Sequence, residues 1–270
     1  MKEEFIDFEV GGTTLRIATM TREGQRAPIL FLHGFGSTKE DYADIARYPQ
    51  FDDHSVIAFD APGCGVSECT DLSVISIPFL QQVAERIAIH YGASKFHIVG
   101  HSMGGLTALL LAHSKPSAVL SFTNIEGNLH PEDCFLSRQI IEHTDDDPEQ
   151  FMASFVARTC RAPGYSCGLF ASSLPYKVRA RAVAPIFRSM VKLTDHGELL
   201  DKFLELPLPK MFMYGDDNRS LSYLGRLQNH AVQLAEIQRC GHFPMYANPL
   251  SMWNHIGAFI ERTEVGVLNE

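Results

Sequence analysis

The fold is decided by the stretch Lys95-Phe96-His97-Ile98-Val99-Gly100-His101-Ser102-Met103-Gly104-Gly105-Leu106. Residues 95–99 have the apolar composition of a buried strand, and the run from Leu106 to Ala112 is typical of a helix packed deep against a sheet. The G-x-S-x-G pattern lies between them. A serine on a strand-to-helix turn presents its hydroxyl at the sheet edge, near a helix amino end that favours negative charge. We therefore predict Ser102 as a nucleophile. The turn around it comprises Gly100, His101, Gly104 and Gly105.

The same pattern occurs a second time, at Gly164-Tyr165-Ser166-Cys167-Gly168. No strand precedes this match, which follows Arg161-Ala162-Pro163. Because the chemistry requires a strand-to-helix turn, context separates the two serines. We interpret Ser166 as part of a glycine-loosened loop.

The residues around this stretch indicate a sheet. Two alternating segments, Phe5–Val10 and Thr14–Thr19, flank Gly11-Gly12 and predict a hairpin. Apolar strand runs then alternate with helical patterns, which is typical of a parallel sheet covered on both faces. We predict an α/β fold with a doubly wound, mostly parallel sheet. The predicted parallel strands occupy residues 29–32, 56–59, 96–99 and 119–125.

The strand–helix alternation stops after residue 128. Residues 129–206 have only helical patterns, and a strand at 210–214, a helix, a strand at 232–237 and a final helix from Pro249 follow. We therefore predict a first core part at residues 1–128, a helical insert at 129–206 and a second core part at 207–270.

Composition limits the function classes. The 270 residues include 45% hydrophobic ones, enough for a sizeable core, and the net charge of −9 argues against nucleic acid as a partner. The acidic amino terminus and the absence of about 18 consecutive apolar residues predict a cytoplasmic protein with no membrane partner. No Cys/His cluster has the spacing of metal ligands, so we expect no metal and reduced cysteines. The cysteines are Cys64, Cys69, Cys134, Cys160, Cys167 and Cys240.

Three motifs at the ends of successive strands resemble the α/β-hydrolase fold family. They are the Ser102 turn, His33-Gly34-Phe35-Gly36, and the segment from Asp60 to Ser67. The resemblance covers nearly the whole chain and implies a serine hydrolase with a helical cap and no cofactor. It also implies that the backbone amides of Phe35 and Met103 form an oxyanion hole, since acyl transfer needs rigid donors for a developing negative oxygen.

Position selects the general base among 12 histidines. His242 lies in Cys240-Gly241-His242-Phe243-Pro244, in a loop between the last predicted strand and the final helix. The family places its histidine in this loop. We predict His242 as the base, His33 as a loop-ordering residue and His101 as packed within the turn.

The acid that orients the base has more than one candidate. Many family members have a Gly-x-x-Asp pattern after the strand that follows the insert, but Gly215-Asp216-Asp217-Asn218 has asparagine there. Some relatives place the acid at the end of the preceding strand, where this chain has Glu126. We favour Glu126, with Asp217 and then Asp216 as rivals. Asp60 is interpreted as structural.

The sequence of the insert does not identify the substrate. Its aromatic residues indicate an apolar pocket or simply a packed insert, and acidic residues there suit either a substrate amine or a solvated face. The aromatic residues are Phe135, Phe151, Phe155, Phe170 and Phe187, and the acidic ones are Glu132, Glu142 and Asp145.

The predicted activity is hydrolysis of small carboxylic esters through an acyl-enzyme. Cleavage of a C–C bond, an amidase or aminopeptidase activity, and acyl transfer use the same groups and are the alternatives within the enzyme class. A ligand-sensing receptor on the same fold is the alternative of another class. Either a monomer or a homodimer is compatible with the sequence.

Overall fold

The computed structural model describes residues 1–142, 147–162 and 165–267. Within these ranges the strands form one sheet, in which only the first two strands and a short side strand run antiparallel to their neighbours. The strands are β1 Lys2–Val10, β2 Thr13–Arg22, β3 Arg26–Leu32, β4 His54–Phe59, β5 Glu68–Cys69, β6 Phe96–His101, β7 Val119–Ile125, β8 Lys210–Gly215 and β9 Gln233–Ile237.

The sheet has the order β1-β2-β4-β3-β6-β7-β8-β9, with β5 paired to β2. The strands from β4 to β9 along this order are parallel, and their central residues are buried because helices cover both faces. In β1 exposed and buried residues alternate instead, as expected for an edge strand with one solvated face. The predicted doubly wound α/β fold is therefore confirmed.

One α-helix lies between β4 and β6, one between β6 and β7 and one between β8 and β9, whereas β3 and β4 are joined through 3-10 helices at Lys39–Arg47 and Pro49–Phe51. Between β7 and β8, five of the described helices follow one another. The α-helices are α1 Ile77–His90, α2 Met103–Ser114, α3 Gln139–Glu142, α4 Pro148–Thr159, α5 Tyr165–Lys177, α6 Ala180–His196, α7 Leu199–Glu205, α8 Leu224–Asn229, α9 Pro244–Ala247 and α10 Pro249–Val267.

Helix α2 begins three residues before Leu106, where the sequence pattern placed its start. Met103, Gly104 and Gly105 form its first turn. The amides of a first turn have no partner within the helix, so weak helix formers such as glycine are tolerated there. Ser102 consequently lies directly at the amino end of α2.

The helices between β7 and β8 lie over the carboxyl edge of the sheet. Phe187 of α6 packs against Phe35, with ring centroids 4.5 Å apart, and Phe170 of α5 stacks on Phe243 at 4.5 Å. These contacts place the predicted insert above the loops that follow β3 and β9.

Candidate active site

Parallel pairing brings Ser102 and Glu126 to equivalent positions beyond two neighbouring strands. His101, the last residue of β6, pairs with Ile125, the last residue of β7. The ladder continues one step further, because the Ser102 amide donates to the Ile125 carbonyl at 2.9 Å and the Glu126 amide donates to the Met213 carbonyl at 3.0 Å. The register thus holds both backbones at the same edge.

Ser102 has a backbone conformation that few side-chain-bearing residues adopt, with φ 50° and ψ −117°. The turn closes tightly: a Cβ added at Gly100 would meet the Gly104 carbonyl oxygen at 2.5 Å, and one added at Gly104 would meet the Leu32 carbonyl oxygen at 2.1 Å. Any larger residue at these two positions would push strand and helix apart. Glu126 also has a positive φ, 46°. Such strained residues cluster at functional sites.

His242 and Glu126 form a buried pair. The two side-chain atoms His242 Nδ1 and Glu126 Oε2 lie 2.7 Å apart, and the residues are 9% and 7% exposed. An ionised carboxylate only accepts hydrogen bonds, so Nδ1 is the protonated nitrogen. The lone pair of the imidazole is then on Nε2, as a general base for a hydroxyl requires.

Glu126 is held by two further donors from the end of β8. Its Oε1 accepts from the Gly215 amide at 2.7 Å, and Asn218 Nδ2 lies 2.9 and 2.8 Å from Oε1 and Oε2. Asn218 occupies the place at which many family members have the acid. In this chain the amide at that place supports the carboxylate of the neighbouring strand.

Of the two rival acids, Asp216 has other partners and Asp217 faces solvent. Asp216 Oδ1 accepts from the Cys240 amide at 2.8 Å, and its Oδ2 is 3.4 Å from Arg219 Nη2. Asp217 is exposed. Neither carboxylate is hydrogen-bonded to His242 in the described part of the chain, whereas Glu126 is.

His101 packs within the turn, where it also contacts His242. Its Nε2 donates to the His242 carbonyl at 2.8 Å, and its Nδ1 is buried without a partner among the described residues. Burial, together with the neighbouring His242, lowers the pKa of His101 well below the usual value. His101 is therefore a neutral link between the nucleophile turn and the histidine loop.

The amides of Phe35 and Met103 are available for an oxyanion. Both residues are buried, and in the described ranges no protein group accepts from either backbone N–H. Most backbone amides of buried residues have an acceptor, so these two are candidates for binding one from a ligand. The Met103 amide also belongs to the first turn of α2, where the helix dipole favours negative charge.

His33 and Asp60 order the loops next to this site. His33 Nε2 accepts from the Ala61 amide at 2.9 Å, and Asp60 accepts from the amides of Lys39 and Val66 at 2.9 and 3.0 Å. Because both side chains are occupied by backbone groups, they have no free position for proton transfer.

Ser102 and His242 line one small cavity of about 20 Å³, which we call the inner cavity. It has room for about one water. Two polar residues at the start of the insert border the same cavity. Ser137 is 2% exposed, and its hydroxyl lacks a partner among the described residues. Burial raises the pKa of Asp133 to about 6.

A larger pocket of about 410 Å³, which we call the outer pocket, adjoins the inner cavity. The two spaces share four lining residues, Phe135, Leu136, His242 and Phe243. Arg158 and Gln139 also line the outer pocket. The sequence patterns did not single out Ser137, Gln139 or Arg158. A polar residue within a helical segment has no local signature, and only the packing shows that these three are beside the site.

The aromatic residues of the insert fall into two groups. Phe151, Phe155 and Phe170 are buried within the packing of the insert and line neither cavity. Phe187 borders the inner cavity, and Phe135 is 54% exposed and borders both, with its ring centroid 5.1 Å from that of His242.

The other predictions for the insert have mixed outcomes. Ser166 lies in the first turn of α5 and borders neither cavity, and Glu132 accepts from the amide and hydroxyl of Ser222. Gly164 and Asp145 lie outside the described residues, as does the side chain of Glu142.

All six cysteines are free thiols. Across the described ranges, no group of three or more His, Cys, Asp or Glu side chains could hold a metal ion. No helix in those ranges is long and apolar enough to cross a membrane.

The fold, a mostly parallel sheet with helices on both faces, is that of a class of hydrolases. A family model described as the alpha/beta hydrolase fold matches residues 27–164, about half of the chain. The chain therefore belongs to the alpha/beta hydrolase fold family, which confirms the resemblance seen in the three motifs.

Individual relatives are distant. A Mycoplasma pneumoniae protein designated an esterase/lipase is 22% identical over 264 residues, which cover 88% of this chain and 90% of that protein. A carboxylesterase structure from Nitrososphaera gargenis has a TM-score of 0.77 at 14% identity, covering 97% of this chain and all of that one. A thermophilic esterase from Thermogutta terrifontis has a TM-score of 0.75 at 19% identity, covering 97% and 99%. At these identities the solved structures show the fold alone.

Proposed function

We propose that the protein is a serine hydrolase of carboxylic esters that forms an acyl-enzyme. The observation that supports this most is the 2.7 Å pair between His242 Nδ1 and Glu126 Oε2, with His242 bordering the same cavity as Ser102. The relative designated an esterase/lipase agrees with this activity.

In the proposed first half-reaction, Ser102 Oγ attacks the ester carbonyl and its proton passes to His242 Nε2. The carbonyl oxygen becomes an oxyanion held by the Phe35 and Met103 amides. Collapse of this intermediate breaks the bond to the alcohol, which leaves with the proton from His242. Ser102 then carries the acyl group as an ester.

In the second half-reaction a water replaces the alcohol. His242 takes one of its protons, the water oxygen bonds to the acyl carbon, and the Ser102 oxygen leaves with the proton that His242 returns. The products are a carboxylic acid and the free enzyme. Glu126 stabilises the imidazolium formed in both halves, and the insert, which we infer to be a cap, limits the water that reaches the cavity.

Hydrolysis of a neutral short-chain ester by the purified protein tests this function. We expect turnover, and we expect Ser102→Ala to lower kcat/KM by at least about 10⁴-fold because the nucleophile is lost. Ser166→Ala is the matched control, with an unchanged rate. Equal rates for Ser102→Ala and the unmodified protein would refute the proposal.

The alternative reactions differ in the leaving group. An amide or C–C substrate that outcompetes every ester in kcat/KM would reassign the activity within the enzyme class. An intact fold with a ligand-dependent partner and no turnover of any ester, amide or C–C substrate would favour the receptor alternative.

A further inference from the structure

The larger pocket beside the catalytic histidine contains a cation with unused hydrogen-bonding capacity. Arg158 of α4 is half-buried and lines the pocket. Its Nε donates to Gln139 Oε1 at 2.9 Å. Its Nη2 is buried and has no hydrogen-bond partner among the described residues. A buried guanidinium nitrogen without a partner is unfavourable and indicates a missing acceptor.

No acid of the described chain neutralises Arg158. It forms no ion pair with any described carboxylate, and none of the described residues that line the pocket is acidic. Its other contact is with the Phe151 ring, whose centroid lies 5.9 Å from Cζ. In a protein with a net charge of −9, this is a local site for an anion.

The arginine is also held in a suitable orientation. The hydrogen bond from Nε to Gln139 and the ring of Phe151 fix one side of the guanidinium. Of the two terminal nitrogens, Nη2 has no partner among the described residues. Together with Nη1 it forms the edge of the guanidinium that matches the two oxygens of a carboxylate. Gln139 accepts through Oε1, so its amide nitrogen is a further donor at the same place.

The outer pocket and the inner cavity at Ser102 share lining residues. Phe135, Leu136, His242 and Phe243 border both spaces. The inner cavity of about 20 Å³ holds little more than the reacting atoms, so the rest of a substrate has to extend elsewhere. The outer pocket, at about 410 Å³, is a space of the size that small ligands occupy.

We propose that the substrate is an ester that carries a carboxylate at its far end, and that Arg158 and Gln139 bind this carboxylate in the outer pocket. The inference rests on the proposed ester hydrolysis at Ser102. A half-ester of a linear dicarboxylic acid has this chemistry: the ester enters the inner cavity past Phe135, and the distal acid reaches Arg158. The substrate of an aminopeptidase carries a positively charged amine. In this pocket that amine would lie beside Arg158, which repels it, and not beside an acidic residue.

The test compares three esters of one linear diacid that differ only at the far end. They are the monomethyl ester, the dimethyl ester and the methyl ester with a terminal amide, each over a series of spacer lengths at neutral pH. For the best spacer we expect kcat/KM of the monomethyl ester to exceed that of the ester-amide by about tenfold or more, the effect of a charged hydrogen bond. The difference should appear mainly in KM.

Two variants distinguish a specific contact with Arg158 from a general effect of positive charge on the protein surface. Arg158→Gln should reduce the preference for the monomethyl ester to near unity, and Arg161→Gln, the exposed arginine three residues further on, should leave the preference as it is. The comparison of monomethyl ester and ester-amide on the unmodified protein needs no variant, so it decides even if Arg158→Gln does not fold.

The outcomes also separate the two proposals. Turnover of neutral esters with no preference for the monomethyl ester at any spacer, or a preference that Arg158→Gln retains, would overturn the carboxylate site alone. Absence of turnover with every ester, including the neutral ones, would overturn the hydrolase function on which it rests.

Discussion

Strands β7 and β8 are neighbours, and acidic residues follow both, yet the two strand ends use their carboxylates differently. After β7, Glu126 is 7% exposed and accepts from His242, Gly215 and Asn218. After β8, Asp216 is bound to the Cys240 amide and Asp217 is exposed. Only the first of these ends provides a buried carboxylate in contact with the histidine.

We infer from this difference that the hydrogen-bond donors around an acidic residue, rather than the presence of an acid, determine which strand end pairs with the histidine. A buried carboxylate is stable only where donors replace the lost water. Glu126 receives one donor from the backbone of β8 and one from Asn218, so the end of β8 stabilises the acid of β7 instead of supplying its own. The two strand ends are therefore complementary parts of one site.

When carboxylate is exchanged for amide at each strand end in turn, the largest effect in this comparison is expected at the end of β7. Glu126→Gln should lower ester turnover by about 10³–10⁴-fold, because an amide does not hold His242 in the required tautomer or stabilise its cation. Asp217→Asn is the matched change at the other end and should alter turnover by less than about twofold. Steady-state rates with one neutral ester measure both.

A large loss in Asp217→Asn with little effect in Glu126→Gln would exchange the roles of the two ends. That result would place the acid after β8, where many family members have it.

A second change makes the two ends compete. Asn218→Asp replaces the amide that lies 2.8 and 2.9 Å from the Glu126 oxygens with another carboxylate. Two carboxylates at this distance cannot both remain ionised, so we expect turnover at neutral pH to fall by about tenfold and stability by about 1–3 kcal/mol. Rates and thermal unfolding measure the two losses.

Combining Asn218→Asp with Glu126→Gln sharpens the same comparison. If the end of β8 can supply the acid, the double variant regains part of the activity that Glu126→Gln alone loses. An Asn218→Asp protein with normal activity and normal Tm would contradict the role given to Asn218.

The smallest expected effect is at Asp216, and it depends on pH. Its hydrogen bond from the Cys240 amide lowers the pKa of Asp216 below 3.8. A lowered folded-state pKa stabilises the protein above the unfolded pKa, and this contribution disappears as the pH falls through the folded value. Asp216→Asn should therefore lower Tm slightly near neutral pH, and the difference from the unmodified protein should narrow only below about pH 4. A difference in Tm between the variant and the unmodified protein that grows toward low pH would contradict the lowered pKa of Asp216.

The sequence was sufficient for the fold because the signals were local. The apolar strand runs, the G-x-S-x-G turn after β6 and the helical stretch from residue 129 to 206 each follow from short-range periodicity and glycine placement. The start of α2 was placed three residues late, since glycine is a weak helix signal even where a first turn tolerates it.

The site could be predicted only in part. The sequence favours Glu126 because a carboxylate at the end of an apolar strand needs a charged partner, and Asn218 departs from the family pattern. Its bond to Glu126 depends on the register of β7 and β8, which no local pattern contains. The places of Arg158 and Ser137 beside the site depend on how the insert packs against the histidine loop, because His242 and Phe243 line the same two spaces.

The central claim is that Ser102 is a nucleophile activated by His242 and Glu126, and covalent labelling tests it most directly. A fluorophosphonate should form one adduct, located by peptide mapping at Ser102, absent from Ser102→Ala and formed much more slowly in Glu126→Gln. An adduct at Ser166, or labelling that persists in Ser102→Ala, would contradict the account.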